Sequence, residues 1–392
     1  MKLEKLKPLT KEYLESIGFV WHTDSDGTSY INDELVVISD EEAENYYNAC
    51  NELYDMFCEA GEHVIENNLF HELNIPFNLI ETIKNSWAED VHWHIYSRFD
   101  LAGGIDGKPI KLIEFNADTP TSVFETAIIQ WAMLKFNDLT DVNQFNNLYD
   151  ALKDNFKRII TLDGDVEKFE EYYKDLGWKI LFSSISGDGE DENTTKLLQH
   201  IANEAGFNTD FEYIENVEFS DEGIFKGDVN FEFWFKLIPW ENIAIDEGEL
   251  ALILEEIITN QKAIIFNPAY TIMFQSKGFM KILWDLYPNH PLLLETSFEP
   301  LVGKKQVEKR CFGREGANVA IINADNSLDE KTDGAYEGFK AIYQEYVELP
   351  KDENGDYYQA GVFYSFEACA LGFRKGGKIL DNMSKFVGHM IG

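Results

Sequence analysis

The chain reads as a mixed α/β (α+β) protein, and three stretches carry that reading. A strand–turn–strand pattern lies at 95–122, strand-like and helix-like segments alternate through 178–266, and further strands follow a Gly/Lys-rich stretch in the last third. At 392 residues, with 44% apolar and 14% aromatic content, the chain is long enough for roughly two or three domains with sizeable cores.

Ser39-Asp40-Glu41-Glu42 opens a helix predicted over 40–68. Ser39 can cap it, and Glu42, three positions on, can reach back to the Ser39 backbone. Tyr46, Ala49, Leu53, Met56 and Phe57 recur by threes and fours and give one apolar face. Shorter helices follow near 76–88.

The hairpin comes next. One apolar-rich run ends in Arg98-Phe99-Asp100, a Gly/Asp/Gly loop turns at Asp106-Gly107, and the second run is Ile110–Asn116. Strand side chains alternate between faces, so Arg98 shares a face with Asp100, and Glu114 with Asn116. If the strands pair, one face presents two carboxylates, an amide oxygen and a guanidinium. Hard oxygen ligands of this kind suit Mg²⁺ held together with phosphates. A solvated polar face would explain the hairpin taken alone equally well. Two features count against it: Glu114 and Asn116 close a strongly β-prone run, and the hydroxyl-rich Ala117–Ser122 opens a helix. That helix is predicted over Val123–Leu134 with Thr121 or Ser122 as N-cap, and a helix N-terminus after such a turn is a ready anion site.

Residues 136–165 are polar and Asn/Asp-rich, a break in composition. Trp178–Ser184 is strand-like. Thr194–Ala205 is an amphipathic helix with Leu197, Leu198, Ile201, Ala202 and Ala205 on one face, ended by Gly206. Strands at Phe211–Ile214 and Val229–Leu237, a helix at 248–259 and a strand at Ala263–Phe266 complete one α/β subdomain. The last third is predicted to hold a helix at 277–287, the Gly/Lys-rich 303–318, a strand pair, a helix over 328–342 and strands within 357–374.

Composition narrows the function. Seventy-one acidic against 33 basic residues give a formal charge of −38. That disfavours nucleic-acid binding, which needs a basic footprint. It suits a cationic substrate such as an amine, although a generally acidic, soluble surface is the more ordinary account. No run approaches the ~20 apolar residues of a membrane span, and the N-terminal stretch lacks a signal-peptide apolar region, so a cytoplasmic location is expected. Cys50, Cys58, Cys311 and Cys369 form no C-x-x-C pair and suggest neither a disulfide framework nor a zinc site. His92-x-His94 is more simply structural than metal-binding.

A phosphate-handling site also needs local positive charge. Lys277 and Lys309 supply it, beside Gly313-Arg314-Glu315-Gly316-Ala317-Asn318-Val319, a flexible loop whose backbone N–H groups could close on a triphosphate. For that loop alone an ordinary hairpin turn is the plainer reading. Gly107-Lys108 is not a P-loop, because Ala102 stands where the first Gly should be and Pro109 replaces the Ser/Thr; there is no G-x-G-x-x-G. Gly372-Phe373-Arg374 lies on a strand, where the planar fork of Arg374 suits a carboxylate or phosphate.

Together these segments resemble the synthetase part of the glutathionylspermidine synthase family. The resemblance rests on Arg98-Phe99-Asp100, on Glu114-Phe115-Asn116-Ala117-Asp118-Thr119-Pro120-Thr121-Ser122, on Pro239-Trp240-Glu241, on Gly313–Val319, and on Gly372-Phe373-Arg374 with Ser384-Lys385-Phe386-Val387-x-His389. Weaker agreement at Trp21-His22-Thr23 and Pro288-Asn289-His290-Pro291 extends it over nearly the whole chain. The amidase domain of bifunctional members is not expected, since the likeness begins almost at residue 1.

The resemblance implies an ATP-grasp fold preceded by a Rossmann-like pre-ATP-grasp subdomain. It divides the chain into 1–160 (helical region and metal-site hairpin), 161–266 (pre-ATP-grasp) and 267–392 (nucleotide-binding region). It implies a ligase that uses ATP and Mg²⁺ to join a peptide-like acid to an amine or polyamine through an acyl phosphate. Asp100, Glu114 and Asn116 would hold magnesium. Lys277 and Lys309 would meet the phosphates, and the loop with Gly313, Arg314, Glu315 and Gly316 would close over the γ-phosphate. Gln344, Tyr346 and Val347 would line the adenine, and Arg98 would stabilise the acyl phosphate. Thr119, Thr121 and Arg374 fall where the acid is held; Glu190 and Asp381 are candidates for the amine. The expected partners are small-molecule or peptide substrates and possible homodimer mates, not nucleic acid or membrane. Lys385 replaces the family's Arg, Gly388 its Pro, and Leu237 stands where a hydroxyl can occur, so the substrate pocket departs more than the nucleotide end. A nucleotide-binding regulator without turnover is the alternative; a polyamine-binding protein is a weaker one.

Overall fold

The computed structural model describes residues 1–162 and 164–392. Its centre is a seven-stranded sheet in the order Leu3–Lys5, Ile31–Ile38, Lys385–Ile391, Glu367–Gly376, Tyr357–Ser365, Ser97–Ala102, Lys111–Asn116. Every pairing is antiparallel except that of Ile31–Ile38 with Lys385–Ile391. A five-stranded antiparallel sheet (Thr296–Ser297, Ala341–Glu345, Gln306–Arg310, Ala320–Ile322, Leu328–Lys331) forms one side of the cleft described below. A four-stranded parallel sheet runs Ile264–Phe266, Phe233–Lys236, Lys179–Ser183, Asn208–Phe211, and a small three-stranded sheet spans 218–231.

The long helix runs Asp40–Glu66 and has the predicted capping box: Glu42 N donates to Ser39 Oγ at 3.1 Å, and Ser39 N donates to Glu42 Oε2 at 2.9 Å. Its apolar face packs on the inner side of the hairpin. Phe99 and Phe115, register partners, stack with centroids 3.9 Å apart, and Phe57 meets Phe115 edge-on at 4.6 Å. Because Phe99 and Phe115 take the inner face, the pleat sends Arg98, Asp100, Glu114 and Asn116 to the other. The strands are Ser97–Ala102 and Lys111–Asn116, with Arg98 opposite Asn116 and Asp100 opposite Glu114.

Four expectations need correction. The stretch 328–342 is not a helix: Leu328–Lys331 and Ala341–Glu345 are strands with an irregular link. It has no apolar stripe to bury, Leu328 being 60% exposed, and Gly334 and Gly338 disfavour a helix. Val229–Leu237 is two strands, Val229–Phe231 and Phe233–Lys236, in different sheets. The strand expected at Phe211–Ile214 lies earlier, at Asn208–Phe211. Ser122 does not cap its helix. Its backbone is left-handed (φ 67°), not extended as a capping residue requires, and among the described residues its buried hydroxyl does not bond the helix N–H groups. That helix contains a π-helical segment, Glu125–Ile129, before Gln130–Phe136.

Two helices run beyond expectation. Gly189–Ala205 starts five residues before the predicted Thr194, because Asp188 caps it through Glu190 N and Asp191 N. Leu148–Thr161 arises in the polar stretch, burying Leu148, Leu152, Phe156 and Ile159. Cys50, Cys311 and Cys369 are buried, Cys58 half-buried, and all four are free. His94 is structural: its ring nitrogens meet Tyr54 Oη at 3.0 Å and Ala117 O at 2.9 Å. Among the described residues, no helix is long and apolar enough to cross a membrane.

Candidate active site

The outer face of the hairpin is one wall of a cleft of about 630 Å³. Arg98 is fixed from two sides: Nε and Nη2 donate to Asp100 Oδ1 and Oδ2 at 2.7 and 3.0 Å, and Nη1 donates to Thr121 O at 2.8 Å. Asn116 Nδ2 donates to Asp100 Oδ2 at 3.0 Å. Burial raises the Asp100 carboxyl more than Arg98 lowers it. Burial also raises Glu114, but Lys277, Lys309 and Arg98 outweigh it and hold that carboxyl at about 2.

The opposing cations come from the other end of the chain. Lys277 Nζ lies 3.0 Å from Glu114 Oε2 and donates to Gly313 O at 2.7 Å. Lys309, on the strand Gln306–Arg310, donates to Gln344 Oε1 on the paired strand at 2.9 Å. Burial pulls the Lys309 ammonium down to about 8, against the attraction of Glu114 and with the repulsion of Lys277.

The donor set of the hairpin defines the metal it can hold. Two carboxylates and an amide oxygen share the face, and among the described residues no group of three or more His, Cys, Asp or Glu forms a complete protein cage. That set fits Mg²⁺, which keeps waters and phosphate oxygens as the rest of its shell, and does not fit an ion demanding all-protein ligation.

Beyond the lysines the cleft becomes apolar, with Leu294, Val307, Ile321 and Leu349 alongside Gln344, Tyr346 and Val347. The loop residues Gly313, Arg314, Glu315 and Gly316 border it, with Glu315 and Gly316 in left-handed backbone. Arg314 does not reach across to the lysine end: its guanidinium bonds Glu241 and Thr119 Oγ1.

The far end is acidic. Glu190 lines it, lifted to about 8 by burial, Glu125 and Asp191. Asp191 is lifted to about 6 by burial and Asp188. Arg374 borders this end. Its Nη2 donates to Ser384 O at 2.8 Å and Asp381 O at 3.1 Å, while its buried Nε has no hydrogen-bond partner among the described residues. The Asp381 carboxylate accepts from Met383 N and Ser384 Oγ. Every residue singled out from the sequence as a site candidate therefore borders this one cleft.

Sequence reasoning missed Trp21, Tyr30, Asp188 and Asp191, which also line it. Asp188 and Asp191 had a signal: an acidic run at the mouth of a helix. It also missed the support beneath. Lys236 and Asp118 form a fully buried pair at 2.9 Å, and Trp240 N donates to Asp118 Oδ2 at 2.8 Å. The signal there was a lysine inside an aromatic strand. Of the three departures, Lys385 bonds Asp24 and Thr28. Leu237 lines the cleft. Gly388 allows close packing, since a Cβ there would lie 2.8 Å from Gln130 Cβ.

Comparison with known proteins identifies the class. A Haemophilus influenzae protein provisionally named an acid–amine ligase is 28% identical over 401 residues, covering 98% of this chain and 97% of that protein. The bifunctional glutathionylspermidine synthetase/amidase of Escherichia coli K12 is 26% identical over 394 residues, covering 92% of this chain; the match takes in 58% of that longer protein. The chain is an enzyme of this carbon–nitrogen ligase class. It belongs to the family described as "Glutathionylspermidine synthase preATP-grasp", which matches residues 1–392. A glutathione synthetase-like effector from Globodera pallida, in apo form, shares the fold, with a TM-score of 0.60 at 9% identity over 97% of this chain and 95% of that one.

Proposed function

We propose that the protein is an ATP- and Mg²⁺-dependent carboxylate–amine ligase. It joins a peptide-like acid, in the manner of glutathione, to an amine or polyamine through an acyl phosphate. The observation that carries this reading is the order of chemistry along one cleft. Nucleotide-suited apolar walls come first, then the Lys277/Lys309 pair facing Glu114, then Arg98, then the acidic end at Glu190 and Asp191. The five-stranded sheet beside the lysines supports reading 267–392 as the nucleotide region of an ATP-grasp fold. The parallel sheet within 161–266 supports a pre-ATP-grasp subdomain.

Asp100, Glu114 and Asn116 would hold Mg²⁺, which when bound supplies charge neutralisation on the phosphates. Lys277 and Lys309 bind the phosphate oxygens. The acid lies beside Thr119, Thr121 and Arg374, and its carboxylate attacks the γ-phosphorus; ADP leaves. Arg98 needs no rearrangement to meet the charge that develops, because Asp100 and Thr121 already fix its plane. The near nitrogen of the amine, neutral and carrying its lone pair, then attacks the acyl carbon; the carbon–oxygen bond to phosphate breaks, and phosphate departs with the proton that the nitrogen gives up. Glu190 and Asp381 hold the distant ammonium of a polyamine and leave the near nitrogen facing the carbonyl.

ATP turnover measured against a panel of peptide acids and amines tests the reading. Phosphate release that requires both an acid and an amine supports it. Background hydrolysis with every pair, despite tight Mg-ATP binding, replaces it with a nucleotide-binding regulator.

A further inference from the structure

Arg314 lies on the glycine-rich loop, yet its guanidinium is committed elsewhere. Nε donates to Glu241 Oε1 at 3.1 Å, Nη2 donates to the same oxygen at 2.5 Å, and Nη1 donates to Thr119 Oγ1 at 3.3 Å. Glu241 stands in the first turn of the helix Trp240–Asp246, its side chain only 3% exposed. It does not border the cleft, whereas Arg314 does.

Both anchors of Arg314 sit on one frame. Thr119 follows Asp118 in the chain. Trp240, beside Glu241, donates its N–H to Asp118 Oδ2, and Lys236 neutralises Asp118 from below. A guanidinium that meets both Thr119 and Glu241 can hold its loop in only one place. Two further contacts agree with that pose: Thr332 Oγ1 donates to Gly316 O at 2.5 Å, and a Cβ on Gly316 would lie 2.3 Å from Leu380 O.

We propose that Glu241 is a positioning residue for the glycine-rich loop. By clasping Arg314 it fixes residues 313–319 over the cleft and ties the nucleotide loop to the Asp118-Thr119 turn, so the two ends of the cleft close as one unit. The purpose of the clasp rests on the ligase reading; its existence does not.

The test uses the whole chain without substrates. Trypsin cleaves after arginine, and a clasped Arg314 cannot enter the protease. In Glu241→Gln, which keeps the shape and loses the charge-assisted bond, cleavage of the Arg314–Glu315 bond should rise about tenfold. The rate is read as a ratio to cleavage after Lys375, which sits on an interior strand of the central sheet and is cut only on global unfolding, so that a general loss of stability raises both rates and cancels. Glu241→Asp, which retains the carboxylate, should restore much of the protection. An unchanged ratio in Glu241→Gln overturns the proposal, and so does equal cleavage in the Gln and Asp variants. Mg-ATP titrated calorimetrically into the parent protein separates the two ideas: failure to bind rejects the ligase reading and leaves the cleavage ratio to decide the clasp.

Discussion

Lys277 Nζ sits 3.0 Å from Glu114 Oε2, joining a residue of the hairpin to one 163 positions later in the chain. The same ammonium bonds Gly313 O. One lysine thus links the candidate metal face, the glycine-rich loop and the start of the helix Phe279–Leu286. Lys277→Met should weaken Mg-ATP binding by roughly ten- to a hundredfold, the worth of a charge-assisted hydrogen bond or two. Calorimetric titration with Mg-ATP measures it, and unchanged affinity would remove Lys277 from the phosphate site.

Asn116 provides the one uncharged oxygen of the candidate metal set. Asn116→Ala should raise the Mg²⁺ concentration needed for half-maximal turnover about tenfold or more, while saturating Mg²⁺ recovers part of the rate. The check is a magnesium titration at fixed ATP. A variant indistinguishable from the parent would take Asn116 out of the metal set.

The acidic end should make amine binding depend on pH. Glu190 and Asp191 titrate at about 8 and about 6, both above the ordinary carboxyl range. Only their charged forms attract an ammonium, so affinity should climb as pH rises through that interval, by up to tenfold per unit for each proton lost. Near neutrality a bound diamine should draw Glu190 into its charged form and release a proton. Calorimetry in buffers of different ionisation heat detects that proton, and Glu190→Gln should abolish the dependence above pH ~7. A flat profile in the parent would show that this wall does not hold the amine.

The Lys236–Asp118 pair is fully buried, and burial pushes both groups toward their neutral forms. Removing one partner strands the other. Lys236→Met should therefore cost about 3–5 kcal/mol, whereas Lys236→Met combined with Asp118→Asn should recover much of the loss. Urea unfolding of the three proteins decides it. A double variant no better than the single one would mean that the pair stabilises by its hydrogen bonds to the backbone and not by mutual neutralisation.

What could be read in advance follows a physical divide. The hairpin was legible because strand alternation is strict: once Phe99 and Phe115 face inward, Arg98, Asp100, Glu114 and Asn116 must share the other side. Pairings set only by the tertiary fold left no local trace. Asp118 and Lys236 are 118 residues apart, and Glu241 and Arg314 are 73 apart. Composition also misled. The Asn/Asp content of 136–165 hid Leu148, Leu152, Phe156 and Ile159, whose spacing by fours and threes is helical. A helix is expected over 328–342, although Gly334 and Gly338 and the missing apolar stripe argue against it.

The parallel pairing of Ile31–Ile38 with Lys385–Ile391 governs the order of assembly during synthesis. The strand Ile31–Ile38 leaves the ribosome long before its inner neighbour, which follows it in the chain only after the hairpin, the parallel sheet and the five-stranded sheet. The central sheet can therefore close only after those segments have been made, and until then an unpaired strand edge stays open to other chains. A premature stop that removes Lys385–Ile391 would not trim a rim. It would excise an interior strand and leave two half-sheets with nothing between them.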